Sequence, residues 1–356
     1  MSVAPFTYNS FAGRVVFGSG ALARLPEEVE RLGARRAIVL STPEQRDTAQ
    51  AVARQLGDRA AGIYDRAVMH VPLEVAQAAR DFAASVGADA CVAVGGGSTV
   101  GLGKAIALTS SLPVIAVPTT FAGSEMTAIW GLTEAGVKKT GRDVRVLPKT
   151  VIYDPQMVMS LPAHIAGPSG INAIAHCVEA LYAIDGNPII AMMAEEGIRA
   201  LAASLPNVVN DPSDAAARGE ALYGAWLAGT ALNGVSMAIH HKLCHTLGGT
   251  FNLPHAETHT VILPYATAYN RDAAPEAMAR IRRALGKFDT GDAAGGILAL
   301  SKAIGAKTSL AAIGMPADGL DRAADLAVQN PYYNPRPIER AAVRELLERA
   351  YAGREP

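Results

Sequence analysis

Five of the eight histidines in this 356-residue chain fall between His240 and His259. His241 and His245 stand four apart in a segment with helical spacing, so they share one helix face. His255 follows Pro254, past Gly248-Gly249, where the glycine pair predicts a helix break. Earlier in the chain, Asn172 and His176 are also four apart, on a helix expected over 171–182. Imidazoles at this spacing can aim two ring nitrogens at one atom. That geometry serves either a metal ion or the oxygen of a polarised substrate. His176, His241, His245 and His255 are therefore the candidate catalytic set, with separate hydrogen-bonded core histidines as the plainer alternative. His240, His259, His70 and His164 are expected to be ordinary surface or core residues.

A second chemistry-bearing pattern lies upstream. An apolar strand runs into Gly95-Gly96-Gly97-Ser98, and a helix is expected from Val100. Glycines let a backbone approach a pyrophosphate, and a helix N-terminus supplies free N–H groups and a positive dipole end. Alone, this is also what a tight strand-to-helix turn looks like. The next strand leads into a second polar loop that carries Thr119, Thr120 and Ser124. Two such loops on consecutive strands favour a dinucleotide at the carboxyl edge of a parallel sheet. The strand Arg36–Leu40 ends in Ser41-Thr42, with no acid there to repel a 2′-phosphate and no arginine to attract one. NADH is the expected coenzyme, with NADPH tolerated, and Ser41 joins the cofactor set.

The elements that must hold these residues divide the chain in two. Strands are expected at Arg14–Phe17, Arg36–Leu40, Ala60–Tyr64, Ala90–Val94, Pro113–Val117 and Thr150–Tyr153, with helices between them. Such alternation implies a parallel sheet covered on both faces, a Rossmann-like α/β domain. Beyond residue 160 the pattern becomes Ala/Leu-rich with helical spacing and no convincing strand. The expected organisation is an α/β NAD(P)-binding domain over 1–160 and an all-α catalytic domain over 161–356. The stretch around Arg142 reads as a connection between them. A charged amphipathic helix closes the chain from Arg336 to Tyr351.

Bulk properties narrow the function classes. Net charge is −1 and half the residues are apolar, so nothing favours nucleic acid or a membrane surface. No uncharged apolar stretch reaches the ~20 residues of a spanning helix, and the longest apolar-rich runs are punctuated by Gly and Pro. Three unpatterned cysteines, Cys91, Cys177 and Cys244, read as free thiols, and with no signal-like start the expected location is the cytoplasm.

The ordered motifs, Gly95–Ser98, Pro118–Glu125, Asn172–His176, His241–Gly249 and Pro254-His255, resemble those of the iron-containing alcohol dehydrogenases over nearly the whole chain. The resemblance implies a dehydroquinate synthase-like fold of two domains and a dimer. It also implies that the family's four metal ligands, one Asp and three His, correspond to Asn172, His176, His241 and His255, while His245 lines the site. The acid is thus an amide here, and the glycine motif has Gly101 where the family has an Asp. With Phe121–Gly131, Lys139–Asp143 and Asn172–His176, these departures resemble the maleylacetate reductase branch. That branch uses NAD(P)H to reduce maleylacetate to 3-oxoadipate in the breakdown of aromatic compounds. No metal is expected, because three neutral imidazoles and an amide hold a dication weakly.

A mechanism follows from the resemblance. Hydride addition β to the ketone makes an enolate. His245 or His241 would hydrogen-bond that oxygen, and a protonated histidine would then donate to carbon. Lys242 and Arg142 are the candidate partners of the two carboxylates and Asn172 a further substrate contact, in a cleft that excludes water. The alternative is a metal-dependent alcohol or polyol dehydrogenase of the same family.

Overall fold

Near-continuous apolar runs on short strands leave no polar face, so the N-terminal sheet has to be covered on both sides. The computed structural model describes residues 6–9, 13–134, 137–330 and 332–356, and it shows this sheet. Strands β1 (Arg14–Phe17), β2 (Ala37–Leu40), β3 (Ala60–Tyr64), β4 (Ala90–Gly95), β5 (Val114–Pro118) and β8 (Thr150–Tyr153) pair in parallel in the order β1-β8-β5-β4-β2-β3. Val39, Val92, Val94, Ile115 and Val117 pack on one face with Val29 and Val52 of helices α1 (Leu25–Arg31) and α2 (Arg46–Leu56). Ile38, Leu40, Cys91, Ala93 and Val114 face the other way. They meet Ala76 and Ala79 of α3 (Leu73–Ser85) and Leu102 and Ile106 of α4 (Gly97–Ser110). The chain proceeds outward from β2 to β3, then returns to place β4 on the opposite side of β2. Strand order therefore reverses between β2 and β4, the place where open α/β sheets bind ligands.

Three sequence expectations need correction here. Helix α4 starts at Gly97, three residues before Val100, because Gly96 takes an extended N-cap conformation and ends the turn. The stretch around Arg142 is not a connection. It is an antiparallel hairpin, β6 (Ile129–Glu134) with β7 (Val137–Arg142), and Arg142 pairs with Ile129. Its apolar alternation is diluted by Gly131, Thr133 and Lys139, so period-two reading does not detect it. The third is the predicted break at Gly248-Gly249. Helix α8 (Ile239–Phe251) runs through both glycines and ends only at Asn252, whose φ of 53° is the left-handed stop.

The chain divides into two compact units, Phe11–Leu161 and one that takes in Pro162–Pro356. Among the described residues the second unit contains helices only: α5 (Ala163–Ala180), α6 (Pro188–Asn210), α7 (Ala215–Gly234), α8, α9 (His255–Tyr269), α10 (Pro275–Leu285), α11 (Ala293–Ala303), α12 (Leu320–Ala327) and α13 (Arg340–Ala352). Helices α5 and α6 approach closely at Gly170, where a Cβ would lie 2.3 Å from Leu205. The closing helix α13 is only half a surface element, since Val343, Leu346, Leu347 and Ala350 join the core formed by α8, α9 and α12. No helix among the described residues is long and apolar enough to cross a membrane. Cys91, Cys177 and Cys244 are buried free thiols.

Candidate active site

At the carboxyl edge of the sheet, Gly95 ends β4 with φ 157°, and a Cβ there would lie 2.3 Å from Thr99 Oγ1. Only glycine permits this close turn. The helix that follows opens with Gly97 and Ser98, whose first-turn amides have no intrahelical partners. Gly95 pairs with Pro118 of β5, and Thr119 N donates to Gly95 O at 3.2 Å. The two polar loops are thus neighbours, as consecutive strands require. Thr120 packs over Gly96, and Gln45 Nε2 donates to Thr119 Oγ1 at 2.8 Å. Ser41 ends β2 beside them. It is fully buried and its Oγ has no partner.

Lys104, in the middle of α4, is a residue the sequence pattern does not single out. It is 1 % exposed. Its Nζ donates to Ser124 O at 2.6 Å, Thr127 Oγ1 at 2.9 Å and Ile129 O at 2.9 Å. Burial pushes this ammonium down to about 7, and the nearby Glu125 carboxylate works the other way. Glu125 is itself buried and accepts from Tyr153 Oη at 2.7 Å. The signal was a lone charge within the apolar helix Val100–Ala107. Lys104 ties the Ser124 loop to the glycine helix. Lys104→Met should leave these acceptors without their donor and loosen the loop, raising the KM for NADH about tenfold, the equivalent of roughly 1.4 kcal/mol of lost positioning. Steady-state kinetics with each substrate varied in turn checks this; a coenzyme KM within about twofold of the parent would refute it.

The helical unit gathers six histidines from three helices. Asn172, His176 and Glu179 fall on one face of α5, four and then three residues apart. Helix α8 carries His240, His241 and His245, and α9 opens with His255 and bears His259 one turn on. The rings of His176 and His241 stack with centroids 5.2 Å apart. His241 lies 6.2 Å from His245 and 5.1 Å from His259, and His255 is 4.4 Å from His259. His176 and His241 are buried, whereas His245 and His255 are exposed. Burial, reinforced by the neighbouring imidazoles, holds His176, His240 and His259 well below the usual histidine range. These three rings are neutral near pH 7.

Glu179 organises this cluster and is absent from the set that histidine spacing suggests. It is fully buried. Its carboxylate accepts from the backbone N–H groups of Ala238, His240 and His241 at 2.9, 2.7 and 3.3 Å. It also accepts from His241 Nδ1 at 2.7 Å. That last bond places a hydrogen on Nδ1, and His241 Nε2 is buried without a partner. Its place three residues after His176 was the available clue. His240 and His259, set aside from the spacing as ordinary residues, are buried inside the same cluster and share a 2.9 Å hydrogen bond.

The remaining expected residues are scattered. Asn172 is 3 % exposed and its Oδ1 has no partner. Lys242 is half-buried on α8, with Nζ 5.4 Å from the Tyr332 ring centre. Arg142 is exposed at the end of the hairpin in the N-terminal unit. His164 is exposed and His70 half-buried.

The description "Iron-containing alcohol dehydrogenase" matches residues 12–155, and "Fe-containing alcohol dehydrogenase family, C-terminal" matches residues 167–351. A maleylacetate reductase of Burkholderia cepacia is 58% identical over 351 residues, covering 99% of both chains. One from Sphingobium indicum is 56% identical over the same span and coverage. The crystal structure of maleylacetate reductase from Agrobacterium tumefaciens superposes with a TM-score of 0.95 at 51% identity, covering 99% of this chain and 100% of that one.

Proposed function

We infer the function from one premise: the chain belongs to the iron-containing alcohol dehydrogenase family. It is an NAD(P)H-dependent oxidoreductase that reduces the carbon–carbon double bond of maleylacetate, giving 3-oxoadipate. The carrying observation is full-length identity to proteins of that activity, combined with an amide at position 172.

The chemistry divides among the residues by what each ring nitrogen can offer. Hydride adds to the carbon β to the ketone, the double-bond electrons move toward the ketone oxygen, and the enolate carbon then takes a proton. A neutral His241 with its hydrogen held by Glu179 presents an acceptor at Nε2. It cannot donate to an enolate in that state. His245, exposed on the next turn of α8, is therefore assigned the hydrogen bond to the developing oxyanion. His241 takes up and passes on a proton at Nε2. The expected histidine acid is not His176, whose burial keeps it neutral; His245 and His255, on the open side of the cluster, are assigned that role. Lys242 and Arg142 are assigned to the two carboxylates and Asn172 to a substrate oxygen or amide contact. Gly95, Gly96, Gly97, Ser98, Thr119, Thr120, Ser124 and Ser41 are assigned to the coenzyme, with NADH preferred and NADPH accepted.

The family's divalent metal does not fit the residues present. Asn172 contributes no charge, and among the described residues His176, His241 and His255 do not form a group whose ligand atoms all lie within 4.8 Å of one another. The nearest carboxylate, Glu179, is committed to four N–H donors. Catalysis is therefore assigned to imidazoles alone. A homodimer in the cytoplasm completes the proposal, and the buried free thiols suit a reducing compartment.

The test is loss of NADH absorbance with maleylacetate, before and after exhaustive chelation. Equal rates are expected. A rate lost on chelation and restored by Fe²⁺ or Zn²⁺ would return the metal to the mechanism, and oxidation of simple alcohols without reduction of maleylacetate would overturn the substrate. His245→Ala should slow turnover more than about tenfold, as loss of an oxyanion donor does elsewhere; a smaller loss removes it from that role.

A further inference from the structure

We propose that His240, Cys244 and His259 form a binding site for a soft monovalent d¹⁰ cation, copper(I), within the helical unit. Nothing in the reduction of maleylacetate requires these three side chains to meet. They do so because His240 and Cys244 are one helical turn apart on α8 and α9 lays His259 against them. Their three ligand atoms all lie within 4.8 Å of one another, the only such group of His, Cys, Asp and Glu among the described residues. Cys244 Sγ is 3.7 Å from His240 Nε2, and His240 Nε2 is 2.9 Å from His259 Nδ1. Nitrogen and sulfur ligands at ordinary bond lengths around a d¹⁰ ion stand about 3.3–3.8 Å apart. The sulfur already stands so relative to His240 Nε2 and lies within 4.8 Å of the His259 ring nitrogen, and the two nitrogens need to separate by roughly half an ångström.

Charge selects the ion. All three residues are at most 2 % exposed, so a net charge would be costly there. One thiolate, two neutral imidazoles and a monovalent cation sum to zero, whereas a dication would leave an unbalanced positive charge. Thiolate and imidazole are also the ligands that soft copper(I) selects over hard ions. Binding is a proton exchange without redox change: the Cys244 thiol loses its hydrogen, and the ring that donates in the His240–His259 bond moves its hydrogen to its other nitrogen. Those distal atoms, His240 Nδ1 and His259 Nε2, have no partner in the structure and are open to receive it.

Titration of chelator-treated, thiol-reduced protein with copper(I) against a competing chromogenic chelator tests the site, read without substrate and so independently of the reductase assignment. One equivalent should bind with a near-ultraviolet thiolate-to-copper band. Cys244→Ala and His259→Ala should each weaken it about 100-fold by removing a soft ligand, and Asn172→Ala, which removes none, should not. Copper-edge X-ray absorption on the unmodified protein should show one sulfur and two nitrogens, a measurement that stands even where a variant misfolds. Uptake unaltered in Cys244→Ala, a shell without sulfur, or no stoichiometric uptake each overturns the proposal.

Discussion

Glu179→Gln should lower kcat for maleylacetate about 100-fold while leaving the KM for NADH nearly unchanged. The carboxylate never meets substrate in this scheme; it acts through His241, where residues outside the first contact shell commonly account for 10–100-fold effects. As an anion it accepts from three backbone N–H groups at the start of α8 and from the His241 ring. Glutamine keeps the volume but turns one acceptor into an NH₂ donor. Either that NH₂ opposes the backbone N–H groups, or it faces His241 Nδ1 and drives the ring to its other tautomer. In the second case Nε2 carries a hydrogen and the proton acceptor is lost. A buried donor left without its anionic acceptor costs roughly 1–3 kcal/mol, so a lower melting temperature is expected as well. The kinetic split separates the positioning role from general destabilisation, because unfolding removes active enzyme without changing the pH dependence of what survives. A kcat within about threefold of the parent, with an unchanged pH profile, would show that His241's tautomer is immaterial.

Asn172→Asp should raise the chain's affinity for a divalent metal. Asn172 Oδ1 is buried without a partner, and the buried nitrogens His176 Nδ1 and His241 Nε2 are likewise unpartnered. These groups include no anion, and a carboxylate supplies both the charge and the attraction that would draw the imidazoles inward around an ion. A carboxylate here offsets a dication's charge, and Zn²⁺ affinity should rise about 100-fold or more. Without metal the variant carries a buried carboxylate with no partner, which is strongly destabilising. Its melting temperature should therefore fall in chelator and recover with Zn²⁺, by mass action on the folded state. Maleylacetate reduction should fall in the loaded variant, since the imidazole lone pairs are then occupied by the ion. Calorimetric titration of both proteins decides the matter: equal Zn²⁺ affinity would mean that the charge at position 172 does not govern metal binding.

The parts of the site that were legible from residue order share a local physical cause. Gly95 to Ser98 had to form a strand-to-helix turn, and two polar loops on consecutive strands had to be neighbours. Likewise His241 and His245, or Asn172 and His176, share a face because helix pitch alone dictates it. The same reasoning fell short where the local signal was weak or misleading. The β6–β7 hairpin carries too little alternation, and the glycine pair at 248–249 sits in a helix that packing sustains.

Spacing along the chain therefore determined that imidazoles would be presented in i,i+4 pairs and that a nucleotide-type loop would cap the sheet. It did not determine which protonation state each imidazole holds. That depends on burial and on partners far away in the chain: Glu179 reaches His241 across 62 residues, His259 meets His240 across 19, and Lys104 finds its acceptors 20 to 25 residues on. Desolvation and hydrogen bonding are properties of the assembled interior, where a charge is stable only against the groups that packing brings to it. Composition can supply the ionisable groups; only the packed helices and sheet assign a hydrogen to one nitrogen and leave the other bare.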